Sequence, residues 1–192
     1  FMKDNLEDNF ESINPAVSLM FGQLEEDEAE NYLEKINGEF SSRYGARTRS
    51  VTDHGYDSSG YHTGSVWGLT TCWAAAANLE YGQRNHGVNF LEKLTQFVDR
   101  NQLGALPEVV DAEDGHSLGC DEQAWSAGLF IHVIDSYLLG IDLEDGKLVI
   151  DPVAGVSLER KGKRVGDERV DIKVNNGEVE ILNEPDIEIE VR

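Results

Sequence analysis

The amino-acid sequence predicts a mainly α fold, with paired helices of an α/α toroid followed by a small antiparallel β appendage. Three observations predict it. Apolar residues recur at spacings of three and four in segments reaching to about residue 139. Those segments are joined by alternating long and short loops. After Gly140 the hydrophobic period falls from about 3.6 residues to about 2. The division this implies is 1–142 for the helical portion and 143–192 for the appendage.

Residues 5–21 combine Leu6, Phe10, Ile13, Val17, Leu19, Met20 and Phe21 with Pro15, the pattern of a short turn and then a helix stopping at Gly22. From Glu25 to Phe40, Ala29, Tyr32, Leu33 and Ile36 share one face, and acids fill the first turn, where the helix dipole favours them. Residues 41–64 are rich in Ser and Gly and hold no apolar period, so they read as a long loop of the kind that carries function. Helices are expected over Ser65–Tyr81 and Val88–Asn101, the latter with Phe90, Leu91, Leu94, Phe97 and Val98 on one face. A second loop spans Gly104–Gly119. It precedes a helix over about Asp121–Leu139, with Trp125, Leu129, Val133, Ile134 and Tyr137 inward.

Strands are expected over Lys147–Val153, Glu168–Val174, Glu178–Leu182 and Ile187–Val191, with Asn175-Asn176-Gly177 as a hairpin signal. Ile187, Ile189 and Val191 alternate with Glu188, Glu190 and Arg192, marking a sheet with one wet face. Arg160, Lys161, Lys163 and Arg164 read as a solvated turn.

Composition narrows the function classes. The chain has 192 residues, 40% of them hydrophobic, enough for a sizeable core. Its 37 Asp and Glu against 16 Lys and Arg leave a formal net charge of -21, a field that repels nucleic acid and anionic membranes. The acids are spread along the chain while Lys is scarce. That is similar to the surface of a protein from a high-salt cytoplasm, where screening makes dense like charge tolerable. Cys72 and Cys120 form no CxxC pair, so a reducing compartment is the default, with a disulfide between them left open. No run reaches the roughly 18 apolar residues of a membrane span, and no signal segment is read at the start. The chain opens at Phe1, which reads as a cut through a larger polypeptide.

The loops carry the chemistry. Pro107 fixes its own backbone and restrains Leu106, so Glu108 leaves the loop in a defined direction. By itself Pro-Glu reads better as a helix-start signal. Its company changes the weight: Leu106-Pro107-Glu108 is followed by Gly119-Cys120 and then Gln123-Ala124-Trp125-Ser126, and is preceded by Tyr61-His62-Thr63-Gly64-Ser65-Val66-Trp67. Indole faces stack on the apolar faces of pyranoses, and His and Tyr hydrogen-bond hydroxyls. Trp67 and Trp73 also fit core packing on a helix, the better reading for Trp73.

These segments resemble the amylo-α-1,6-glucosidase (glycogen debranching) family, with glucoamylases as more distant relatives. Tyr44-Gly45-Ala46-Arg47-Thr48 and Gly146–Pro152 extend the likeness, which covers residues 5 to about 155. The resemblance implies about half of an (α/α)6 toroid, forming the C-terminal part of an inverting exo-acting α-glucosidase. In it Glu108 is the catalytic base, and Tyr61, His62, Trp67, Gln123 and Trp125 shape the glucose subsite. Arg47 either bonds sugar or braces its loop. The substrate implied is an α-glucan or oligosaccharide.

Two departures stand out: Gly68 replaces the family's proline after Trp67, and no segment carries the motif of the general acid. Residues for the acid are therefore expected upstream. A separate N-terminal half or a second copy would then cover exposed helix faces, and a non-catalytic carbohydrate-binding or assembly fragment is the competing reading. No metal or other cofactor is expected: the five histidines are dispersed, and Asp111–Gly115 lacks the roughly twelve-residue calcium loop with its closing Glu.

Overall fold

The computed structural model describes residues 10–100 and 103–192; Leu6 of the first expected helix and Asn101 of the fourth lie outside them. Among the described residues the fold is mixed α/β. Five α-helices stand beside eight strands in three sheets, which corrects the mainly α, half-(α/α)6-toroid expectation. The helices run only 6 to 13 residues. Segments that had been counted toward them are extended instead. The chain divides into two compact units, one ending at Ile131 and the other spanning His132–Arg192.

The first unit holds α1 (Pro15–Met20), α2 (Glu26–Gly38), β1 (Val66–Trp67), α3 (Gly68–Glu80), α4 (Arg84–Thr95), β2 (Val109–Val110) and all but the last two residues of α5 (Ala124–Val133). Its centre is α3, where Ala74, Ala75, Ala76 and Ala77 are all 0% exposed and let α1, α2 and α4 pack against it. Leu19, Leu33, Ile36, Phe90 and Leu94 close that core. Each such burial contributes about 1.5–3 kcal/mol, against a few tenths per residue from helix propensity, so packing holds α3 in place.

Ser65–Trp67 was expected to open α3. Val66 and Trp67 instead pair antiparallel with Val110 and Val109, and Trp67 stays extended as the residue before the helix. Single bridges continue this ladder, from Val66 to Arg47 on one side and from Val110 to Ser117 on the other. The long loops are thereby registered to one another. α5 also starts later than expected, at Ala124, and leaves Trp125 49% exposed instead of inward.

The second unit opens with a π-helical turn, Ile134–Leu138, followed by β3 (Asp142–Glu144), β4 (Lys147–Ile150), β5 (Leu158–Val165), β6 (Glu168–Asn175), β7 (Glu178–Ile181) and β8 (Ile189–Val191). One sheet has the order β3-β4-β8 and the other β5-β6-β7. The appendage is not wholly antiparallel, because β4 and β8 run parallel. Asn176 and Gly177, at φ 54° and 89°, make the two-residue turn between β6 and β7, as Asn-Gly chemistry favours.

β5 contains the basic cluster that had read as a turn. Residues 160 and 163 would face opposite sides of a regular strand, but a register shift between them lets both reach one carboxylate. Arg160 Nε donates to Asp135 Oδ1 at 2.7 Å and Lys163 Nζ to Asp135 Oδ2 at 3.0 Å. The core of this unit is Leu139, Ile141, Leu148, Ile150, Val170, Ile172 and Val174. No described helix is long and apolar enough to cross a membrane.

Candidate active site

The β1/β2 ladder determines what the site contains. With Trp67 opposite Val109, the preceding residue, Glu108, comes to the end of β1, beside the Tyr61–Trp67 segment. Tyr61 Oη donates to Glu108 Oε1, and the Cys120 backbone amide donates to Glu108 Oε2 at 3.3 Å. Glu108 also fixes its own backbone, its N–H donating to Cys120 O at 2.9 Å. The Tyr61 phenol, followed by the Cys120 amide, holds the Glu108 carboxyl below the usual range, against a smaller opposing effect of burial. The same bond raises the Tyr61 hydroxyl. Glu108 is thus kept ionised, with both oxygens engaged on their protein side.

Tyr61 connects this carboxylate to an aromatic cavity of about 540 Å³, lined in part by Phe10, Asn14, His62, Trp67, Trp73 and Trp125. The Tyr61 and Trp67 rings meet edge to face at 4.6 Å, and His62 stacks on Trp67 at 5.4 Å with 10° between planes. The Trp67 indole is 6% exposed and its N–H is spent on Tyr61 O at 2.9 Å. Trp67 therefore acts as a buried floor, while the exposed Tyr61, His62 and Trp125 form the surface a ligand would meet. Trp125 approaches Trp67 at 6.3 Å. A cavity of this size suits one or two sugar rings, and its apolar walls with few polar groups fit pyranose stacking.

The remaining sequence-derived residues are placed differently. Gln123 sits just before α5 and its N–H donates to Leu106 O at 2.8 Å, tying the helix start to the loop of Glu108. Arg47 does not line the cavity. Its Nε donates to Tyr56 Oη at 3.0 Å, its Nη2 lies 3.5 Å from Glu113, and a further bond goes to Ser41 O, so it braces the two long loops. Cys72 and Cys120 are both free thiols, and burial pushes the Cys72 thiol up to about 12.

Two glycines, named in the sequence without a role in the site, contribute to it. Gly68 is where α3 meets α5: a Cβ there would lie 2.7 Å from Ser126 Oγ, which explains a glycine where a bulkier residue was expected. Gly119 lies as close to Glu108 itself. Only its place in the Gly119-Cys120 spacing pointed to it.

Asp111, Asp114 and His116 bring ligand-type atoms within 4.8 Å of one another. These atoms serve the loop. Asp111 Oδ1 accepts the Glu113 N–H at 2.7 Å, Ser58 Oγ donates to Asp111 Oδ2 at 3.1 Å, and His116 Nδ1 lies 2.5 Å from Asp114 Oδ1.

Comparison with known proteins adds the following. The family model of the mannosylglycerate hydrolase MGH1-like glycoside hydrolase domain matches residues 9–126. The GH63 mannosylglycerate hydrolase from Thermus thermophilus, solved in complex with glucose, is 18% identical with a TM-score of 0.56, over 64% of this chain and 31% of its own. An uncharacterized conserved protein from the same organism is 19% identical with a TM-score of 0.55, over 64% of this chain and 30% of its own. A sialidase is 13% identical with a TM-score of 0.71, over 96% of this chain and 20% of its own. At such identities these structures share the fold. The chain spans about a third of the length of the hydrolase. No curated protein sequence matches it.

Proposed function

The chain belongs to the mannosylglycerate hydrolase MGH1-like glycoside hydrolase domain family, and on that premise we propose that Glu108 is the general base of an inverting glycosidase. One observation carries the reading: a carboxylate engaged through both oxygens is hydrogen-bonded to Tyr61, a residue that lines an aromatic cavity of sugar size. In inversion one carboxylate takes a proton from water as that water attacks the anomeric carbon, and a second group protonates the departing oxygen. Glu108 supplies the first role. Tyr61, His62 and Trp125 receive the sugar over the Trp67 floor, Gln123 holds the loop carrying Glu108, and Arg47 serves as a brace.

In this proposal the general acid comes from elsewhere in a longer glycosidase, either upstream in the same polypeptide or in a separate N-terminal half. Residues 1–142 are the site-bearing portion in this proposal and 143–192 the appendage. The substrate is a terminal α-hexoside: an α-1,6 or α-1,4 glucan end by the debranching resemblance, or mannosylglycerate by the family's name. A non-catalytic carbohydrate-binding fragment shares the cavity but gives Glu108 no work. The dispersed acidity fits a salt-rich cytoplasm.

The test is Glu108→Gln in the hydrolytically competent protein, assayed on mannosylglycerate, isomaltose and maltotriose. Turnover on the accepted substrate should fall by about 10³-fold or more, with sugar binding retained and the parent releasing the inverted anomer by NMR. Undiminished turnover, or a product of retained configuration, removes Glu108 from the role of base.

A further inference from the structure

We propose that Gly119 and the Cys120 backbone amide form a cradle that aims the Glu108 carboxylate, making both positioning residues for the proton transfer; this rests on Glu108 being the base. A Cβ built at Gly119 would lie 2.5 Å from Glu108 Oε2, 3.2 Å from its carboxyl carbon and 2.8 Å from Val109 Cγ1. A real Cβ does not approach that closely. The missing side chain is the space the carboxylate occupies, and in that space Oε2 accepts the Cys120 N–H at 3.3 Å.

The cradle cannot easily yield, because its two segments are stitched together on both sides of Gly119. Leu118 N–H donates to Val109 O at 3.0 Å, Glu108 N–H to Cys120 O at 2.9 Å, and Gln123 N–H to Leu106 O at 2.8 Å. Ser117 Oγ adds a contact to Gly119 O at 3.3 Å. Three backbone bonds fix the register, whereas the Glu108 carboxyl is the far end of a rotatable side chain. A methyl group at position 119 would therefore displace the carboxylate and turn the Val109 side chain aside, leaving the backbone register in place. Displacement breaks the Cys120 amide contact and swings Oε1 away from Tyr61, so the base loses its aim toward the cavity. Transition-state geometry is sensitive to such a change, with shifts of about 1 Å costing on the order of 100-fold in rate.

The experiment is Gly119→Ala, read two ways. Carboxyl carbon-13 NMR titration of the 192-residue chain, with the Glu108 signal assigned through Glu108→Gln, should show its midpoint rising toward the ordinary glutamate range. Kinetics on the substrate identified above should show kcat falling about 100-fold with KM little changed, as expected for a contact that matters in the transition state. Adding Glu108→Asp to Gly119→Ala retracts the carboxylate from the new methyl, so the double variant should lose less than the two single losses combined. If Gly119→Ala does not fold, Glu108→Asp and Val109→Ala are added to it separately: recovery with Glu108→Asp identifies the carboxylate as the clashing group, and recovery with Val109→Ala alone overturns the cradle. A folded Gly119→Ala with parental titration and parental kcat overturns it as well. Undiminished turnover of Glu108→Gln would instead remove the base assignment, while the titration would continue to report on the cradle.

Discussion

At the scale of single residues, the clearest lever is the Tyr61 hydroxyl. It is the main reason the Glu108 carboxyl titrates low, so Tyr61→Phe should raise the acid limb of the pH–activity profile. The sign follows from the direction of the shift. A carboxylate whose folded value lies below its unfolded value, about 4.3 for Glu, favours the folded state above that value, and this contribution fades as pH falls through the folded one. Tyr61→Phe should therefore also flatten the acid side of the stability curve. Carboxyl NMR titration of both proteins checks the prediction, and an unmoved Glu108 midpoint would show that the phenol is a bystander. Arg47 illustrates the limits of reading residues from motifs. Its place before Tyr61-His62 suggested either sugar contact or bracing, and only the packed loops show Tyr56 and Glu113 waiting for its guanidinium.

Among the elements, β5 is held by a charge cluster. Asp135, 4% exposed, would be raised by burial alone, yet the hydrogen bonds from Arg160 and Lys163 outweigh that and hold its carboxyl below the usual range. Asp135→Asn should cost roughly 2–3 kcal/mol at neutral pH, less than for a fully buried pair because both cations keep some contact with water. Since the folded value is depressed, the difference should be full above about 3.9, the unfolded value for Asp, and vanish as pH falls below the folded one. Urea melts of both proteins across that range test it, and a pH-independent difference would point to packing instead of charge.

β5 also shows why some elements were illegible. Arg160, Lys161, Lys163 and Arg164 do not alternate with apolar residues, and their pattern makes sense only once the bulge and the Asp135 carboxylate are known. The β6–β7 hairpin, by contrast, rests on local Asn-Gly chemistry and was visible in sequence. β1 and β2 are two residues each, too short for any period, and are defined entirely by pairing over more than forty positions. That pairing is what carries Glu108 to Tyr61. The sequence brought these residues together only through the resemblance, because the pairing that joins them leaves no local pattern.

For the molecule as a whole, the central fact is a net charge of -21 on 192 residues. Self-repulsion of that size opposes the compact state, and raising salt shortens the Debye length from about 10 Å at 0.1 M to about 3 Å at 1 M. Thermal midpoints should rise steadily from dilute buffer to molar potassium chloride; full stability without added salt would argue against the salt-rich setting. The fold class shows the opposite weakness of sequence reasoning. Helical periods in the first two thirds were real, but extrapolating them to an all-helical ring ignored the extended segments between them. Non-local pairing, not propensity, decides those segments.

The three tryptophans of the chain, Trp67, Trp73 and Trp125, all border the same cavity. The intrinsic ultraviolet emission of the protein is thus a single-locus optical signal. It requires no introduced dye, and quenching by acrylamide or a spectral shift on adding a sugar would report from that cavity.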